Sequence, residues 1–184
     1  ENLKELCNPM IEKRNQNSIR QIEALRDNNY NITLEDVLEK AKYSTCIYKQ
    51  HIMSALMERG YCSEIYSELY YSLFKNGGIC SFDIEYADAF KAVEAVKKDG
   101  GKAVLAHPGQ FDSYEIMEEL WENGLDGVEL YHEDHKPEDL AKILEFAVNH
   151  KVILTGGSDF HGAYGGTSGI GKVTVPVSFV GELL

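Results

Sequence analysis

The chain has 184 residues, 43% hydrophobic and 26% charged, a composition that excludes a collagenous, low-complexity or disordered chain. Lys and Arg number 18 against 30 Asp and Glu, for a formal net charge of −12, which argues against long duplex DNA held by counterion release and against acidic membrane surfaces. A chain of this length makes one domain, or a domain with an appendage, and buries about 70% of its unfolded surface without a disulfide or metal staple. The four cysteines, Cys7, Cys46, Cys62 and Cys80, form no C-x-x-C pair and read as free thiols of a reducing, cytoplasmic compartment. No stretch approaches the roughly 20 apolar residues of a membrane span. The start at Glu1 is polar and is not Met, so the chain is expected to be processed or to be a piece of something longer.

Residues 1–75 read as helix after helix. Leu3, Leu6, Met10 and Ile11 recur at helical spacing, as do Ile19, Ile22 and Leu25. Thr33 with Asp36 predicts an N-cap for a helix over 34–42. A helix over 48–59 should stop at Gly60, and Ser63 should cap another that ends at Gly77-Gly78. The text then changes. A helix over 86–99 closes at Gly100-Gly101, and 102–106 is a short apolar run of buried parallel-strand type. Asp112 with Glu115 predicts a capped helix to about 123, followed by a strand over 127–131. Pro137 opens a helix to about 149, and 152–155 is a third strand. Alternation of strand and helix predicts an α/β parallel sheet, whose chemistry sits in the loops after the strands. The expected division is a helical segment, 1–78, and an α/β part, 79–184.

Five of the six histidines lie in the second half, four of them after strand ends. His107-Pro108 follows the first strand, His132 and His135 the second, and Asp159-Phe160-His161 the third. Imidazole with carboxylate suits zinc, iron or manganese. Asp159 and His161 are two apart, which in extended backbone points both side chains one way. Pro108 biases His107 towards extended backbone. The segment from Glu133 to Asp139 is acidic and reads as solvated, so His132 and His135 are expected as surface-loop residues rather than ligands. Glu129 either points inwards towards a partner or faces solvent, and His51 either packs locally or meets a substrate. The tyrosines at 61, 66, 70 and 71 read as packing residues.

Ala106-His107-Pro108 and Gly157-Ser158-Asp159-Phe160-His161-Gly162 resemble two motifs of the PHP (polymerase and histidinol phosphatase) superfamily, and more closely those of its stand-alone metal-dependent phosphoesterases. His51-Ile52, Leu56 and Glu58-Arg59-Gly60-Tyr61 resemble the helical insertion of that subgroup, so the likeness spans nearly the whole chain. The resemblance implies a distorted (β/α)7 barrel with up to three divalent metal ions (Mn, Zn or Fe). It also implies hydrolysis of phosphate esters, including nucleotides and short oligonucleotides, by water that the metals activate. Carried over, His107, Asp159 and His161 would be metal ligands and Lys49 and His51 would approach the substrate. Lys49-Gln50-His51 stands where the subgroup has Arg-Pro-His, so the charge remains without the bidentate fork. The family's first motif, a His-x-His pair, has no counterpart here. The chain is therefore expected to be a partial barrel, the C-terminal strands with the helical insertion, and to have an incomplete site. The sheet edge left open at 102–106 should be covered, pair with another copy, or aggregate. Two alternatives stay open: an exonuclease-like PHP module, and a noncatalytic binding or structural remnant.

Overall fold

The structure, a computed structural model, describes residues 1–165 and 169–181. Its elements in order are α1 (Asn2–Asp27), α2 (Leu34–Lys40), α3 (Lys49–Glu58), α4 (Glu68–Phe74), α5 (Ala89–Lys98), β1 (Val104–Leu105), α6 (Met117–Glu122), β2 (Gly127–Tyr131), α7 (Pro137–His150) and β3 (Ile153–Gly156), with 3-10 turns at Gly162–Tyr164 and Val177–Phe179. They fall into two compact units. A helical unit takes Glu5–Ala87 and Ala163–Gly165; an α/β unit takes Glu1–Lys4, Asp88–Gly162 and the described residues from 169 onwards. Among the described residues no helix is long and apolar enough to cross a membrane.

In the helical unit, Ile22, Leu25, Ile32, Val37, Ile52, Met53 and Leu56 form the core. The long α1 adds buried polar groups with partners elsewhere in the unit: Gln21 Nε2 donates to the carbonyls of Cys80 and Phe82, and Ser18 Oγ to that of Ile47. The Thr33–Asp36 capping box forms as expected, its Thr33 hydroxyl accepting the Asp36 N–H while Asp36 accepts the Thr33 N–H. Ser63 does not cap; α4 begins later, after Ser67. Pro9 lies inside α1, where it contributes no N–H and the helix continues through it.

The α/β unit is built on a parallel sheet in the order β1-β2-β3. Val128 and Leu130 of the central strand are fully buried and pack with Leu120 of α6 and with Ile143 and Phe146 of α7. Asp126, just before β2, gathers the lower end of the sheet. It accepts the N–H of Ala103 at 2.8 Å and pairs with Lys97 at 2.7 Å and Lys102 at 3.2 Å. Among the described residues β1 pairs with β2 alone, so its outer side is open. A groove of about 450 Å³ runs beside it, lined by Val93 and Val96 of α5 and by Leu105 and Leu120.

Three boundaries depart from the sequence reading. The apolar run at 102–106 is hydrogen-bonded as strand only at Val104–Leu105. The helix expected from 86 begins at Ala89, because the Asp88 side chain accepts the Lys91 N–H and caps it. Asp112 does not cap a helix: its φ is +51°, and turns fill the interval until α6 starts at Met117.

Candidate active site

Parallel pairing places the C-terminal ends of β1, β2 and β3 on one edge of the sheet, so the loops that follow them are neighbours. His107 stands two residues beyond β1, His132 directly beyond β2, and Asp159 and His161 beyond β3. The Asp159 carboxylate lies between two imidazoles. Its Oδ1 is 3.0 Å from His161 Nε2, and its Oδ2 is 3.6 Å from His132 Nε2. The His132 ring in turn neighbours that of His107, with centroids 5.2 Å apart. The three residues singled out from their motifs thus border one group, with His132 standing between His107 and Asp159.

Glu129 holds this arrangement from inside the sheet. Its Oε2 accepts the backbone N–H of His107 at 2.8 Å. Its other oxygen lies under Gly157, where a Cβ would come within 3.5 Å of it. Of the readings left open for Glu129, the structure shows a partly buried carboxylate that has a partner within the chain. A register shift between Glu129 and Tyr131 bulges β2 next to the site and re-aims the residues that follow. His107 and Asp159 both adopt left-handed backbone, φ +32° and +47°, which L-residues adopt at a cost.

His132 is the residue that sequence reasoning missed. It is 6% exposed, not a surface-loop residue. Its ring lies beside those of His135 and of His107, the latter a contact between loops distant in sequence that leaves no local signal. The acidic text after it, Glu133 and Asp134, does lie exposed. His135 is half-buried and ties two loops together: its Nδ1 donates to the Leu130 carbonyl at 2.8 Å and its Nε2 accepts the Gly109 N–H at 3.2 Å. Gln110 Nε2 reaches Asp134 at 3.0 Å between the same two loops.

Two ring nitrogens here are buried without a partner, Nδ1 of His107 and Nε2 of His132. Buried polar atoms are ordinarily satisfied, so orphans of this kind mark a place where a ligand belongs. The bare His107 nitrogen, the Asp159 carboxylate and the His161 imidazole are the nitrogen and oxygen donors that divalent zinc, iron or manganese takes. Their chemistry fits such an ion. Among the described residues no three His, Cys, Asp or Glu side chains are already drawn together to chelate one.

Lys49 and His51 belong to the helical unit, where each has local partners. Lys49 Nζ pairs with Asp83 at 2.6 Å. His51 Nδ1 accepts the Tyr48 N–H at 3.0 Å at the start of α3, and its ring meets Tyr164 edge-on. Burial lowers the His51 pKa.

A small parallel sheet flanked by helices gives this chain a fold similar to that of a solved protein of the metal-dependent phosphoesterase class. A crystallised protein of Bifidobacterium adolescentis assigned to that class superposes with a TM-score of 0.88 at 27% identity, over 99% of this chain and 65% of that one. An amidohydrolase from Chromobacterium violaceum shares the fold, with a TM-score of 0.73 at 19% identity over 96% of this chain and 65% of that one. In sequence, the chain is 49% identical over 166 residues to the phosphoribosyl 1,2-cyclic phosphate 1,2-diphosphodiesterase of Eggerthella lenta, covering 90% of this chain and 63% of that protein. The chain spans a little under two thirds of the length of these relatives. No protein-family model matches it.

Proposed function

We propose that this chain carries the later strands of a PHP-type (β/α)7 barrel, in a cytoplasmic enzyme that hydrolyses small phosphate esters. The observation that supports this best is the meeting of three successive strand ends around Asp159, with His161 bonded to one of its oxygens and His132 standing 3.6 Å from the other. The Eggerthella relative's name adds a substrate class: a sugar phosphate bearing a cyclic phosphodiester. Short oligonucleotides fit the same chemistry, whereas the net charge of −12 disfavours long duplex DNA.

In this reading His107, Asp159 and His161 hold the divalent ions. A bound divalent ion supplies Lewis acidity towards a phosphoryl oxygen and makes water acidic enough to attack phosphorus at neutral pH. The chain's own residues set the geometry. Glu129 accepts the His107 N–H and fixes the backbone that bears the ring. Asp159 is held at one oxygen by His161 Nε2 at 3.0 Å, and the His161 side chain is more exposed than that of His132.

The test is hydrolysis of a simple phosphodiester by the intact protein with added manganese. His161→Ala should lower turnover about a hundredfold or more, and a chelator should abolish it. This chain alone, with three of the ligands, should hold metal weakly and turn over slowly. Turnover that survives both the chelator and the substitution would overturn the proposal.

A further inference from the structure

We propose that His132 is a substrate-binding residue of this site, presenting its Nε2–H to an anionic phosphoryl oxygen, and is not one of the metal ligands. The inference rests on the phosphoesterase reading above. It begins with the other ring nitrogen. His132 Nδ1 lies 3.1 Å from the backbone N of Asp134. A backbone amide can only donate, so Nδ1 must offer a lone pair. A neutral imidazole carries one N–H, which is therefore on Nε2. Ligation of a metal through Nε2 would need the lone pair there and would move the proton to Nδ1, against the Asp134 amide. Metal-bound histidines ordinarily use their second nitrogen as a donor, the reverse of this arrangement.

The loop that imposes this tautomer is held from both sides. His135 bonds back to the Leu130 carbonyl and across to the Gly109 N–H, and the Asp134 carboxylate is held by Gln110. The amide of Asp134 is thus fixed against His132 Nδ1.

Burial supplies the second argument. The His132 side chain is 1% exposed, and Nε2 has no hydrogen-bond partner. Asp159 Oδ2 stands 3.6 Å from it, beyond hydrogen-bond reach. An unpaired buried donor is costly, and the cost is recovered when a ligand supplies the acceptor. The ligand's chemistry follows from the N–H itself. It repels a cation and fits an anionic oxygen, and beside the proposed metal ligands that oxygen is the substrate's phosphoryl oxygen.

The experiment uses this 184-residue chain labelled with 15N-histidine, zinc as a diamagnetic divalent ion, and inorganic phosphate as the probe. Long-range proton–nitrogen spectra should show His132 as the Nε2–H tautomer with and without zinc. Zinc should move the His107 or His161 nitrogens, and phosphate the His132 Nε2–H. In His132→Ala, zinc affinity measured by titration should stay unchanged while phosphate binding weakens about tenfold, the weight of one hydrogen bond to a charged group. His132→Gln, which keeps an N–H near the same place, should recover part of that loss. An Nδ1–H tautomer with Nε2 shifted by zinc would overturn the proposal, as would loss of zinc from a folded His132→Ala chain or unchanged phosphate affinity in it. If the chain takes up no zinc yet phosphate still moves the Nε2–H signal, the phosphoesterase reading falls and His132 stands as an anion-binding residue.

Discussion

Gly109→Ala tests how tightly the loop after β1 is set against the loop after β2. A Cβ at 109 would lie 2.8 Å from Asp139 Cγ, 2.8 Å from His135 Cδ2 and 3.0 Å from Asp139 Oδ2. None of these atoms is the loose end of a flexible side chain. Asp139 caps α7 by accepting the Lys136 N–H at 2.8 Å, and its other oxygen accepts the Tyr114 hydroxyl. The His135 ring is held by the Leu130 carbonyl. Relief must come from moving the loop, which also strains the Gly109 N–H bond to His135. Overpacking of this kind costs about 1–3 kcal/mol, and the weakened hydrogen bond about 1 kcal/mol. Loss of glycine's freedom in the unfolded chain returns about 0.4–1 kcal/mol. The net expectation is about 2 kcal/mol of destabilisation. With a urea slope of about 2 kcal/mol per M, the unfolding midpoint should fall by about 1 M. Adding Asp139→Ala to Gly109→Ala should cost less than the sum of the two single changes, because one side of the collision is then gone. A Gly109→Ala midpoint within about 0.2 M of the parent would refute the argument.

Two further outcomes follow from the α/β unit. Burial works against the Asp126 charge, but Lys97, the Ala103 N–H and Lys102 outweigh it and hold the carboxyl below its usual range. Its stabilisation is present above the ordinary carboxylate value near 4 and is lost as pH falls through the lower folded-state value. Asp126→Asn should therefore cost about 1 kcal/mol at neutral pH and flatten the fall in stability below about pH 4, read by denaturant titration across pH. In hydrogen exchange, the amides of Val104 and Leu105 on the open edge should exchange faster than those of Val128 and Leu130 in the central strand. Equal protection with mass doubled in light scattering would mean that a second copy covers β1.

The elements most legible in the sequence were those whose local chemistry and tertiary role agree. The apolar runs at 127–131 and 152–155 became strands within a residue of expectation, and Pro137 opened α7 at its first position. Thr33 and Asp36 made the box that their spacing implied. Misplaced boundaries arose where a residue of capping type did not cap. Ser63 stands four residues before Ser67, which precedes α4 and whose hydroxyl makes no cap bond either, and Asp112 adopts the left-handed turn that short polar residues tolerate instead of starting a helix. At the site, the placement of His107, Asp159 and His161 after strand ends was legible from the alternation of strand and helix. His132 was hidden because exposure was judged from its acidic neighbours, while its actual surroundings are His107 and Asp159, from the loops after the other two strands. The loop bond from His135 to Gly109 joins residues 26 apart and leaves no local trace in the text.

His107 and Asp159 share left-handed backbone, with φ of +32° and +47°. Each such L-residue gives up roughly 1–2 kcal/mol that glycine at the same place would not. Folding energy alone thus drives both positions towards glycine, and the imidazole and the carboxylate persist only while selection for chemistry opposes that gradient. A lineage released from catalysis would become more stable as it shed these two side chains, whereas one under selection for thermal robustness would have to find its gains elsewhere in the chain.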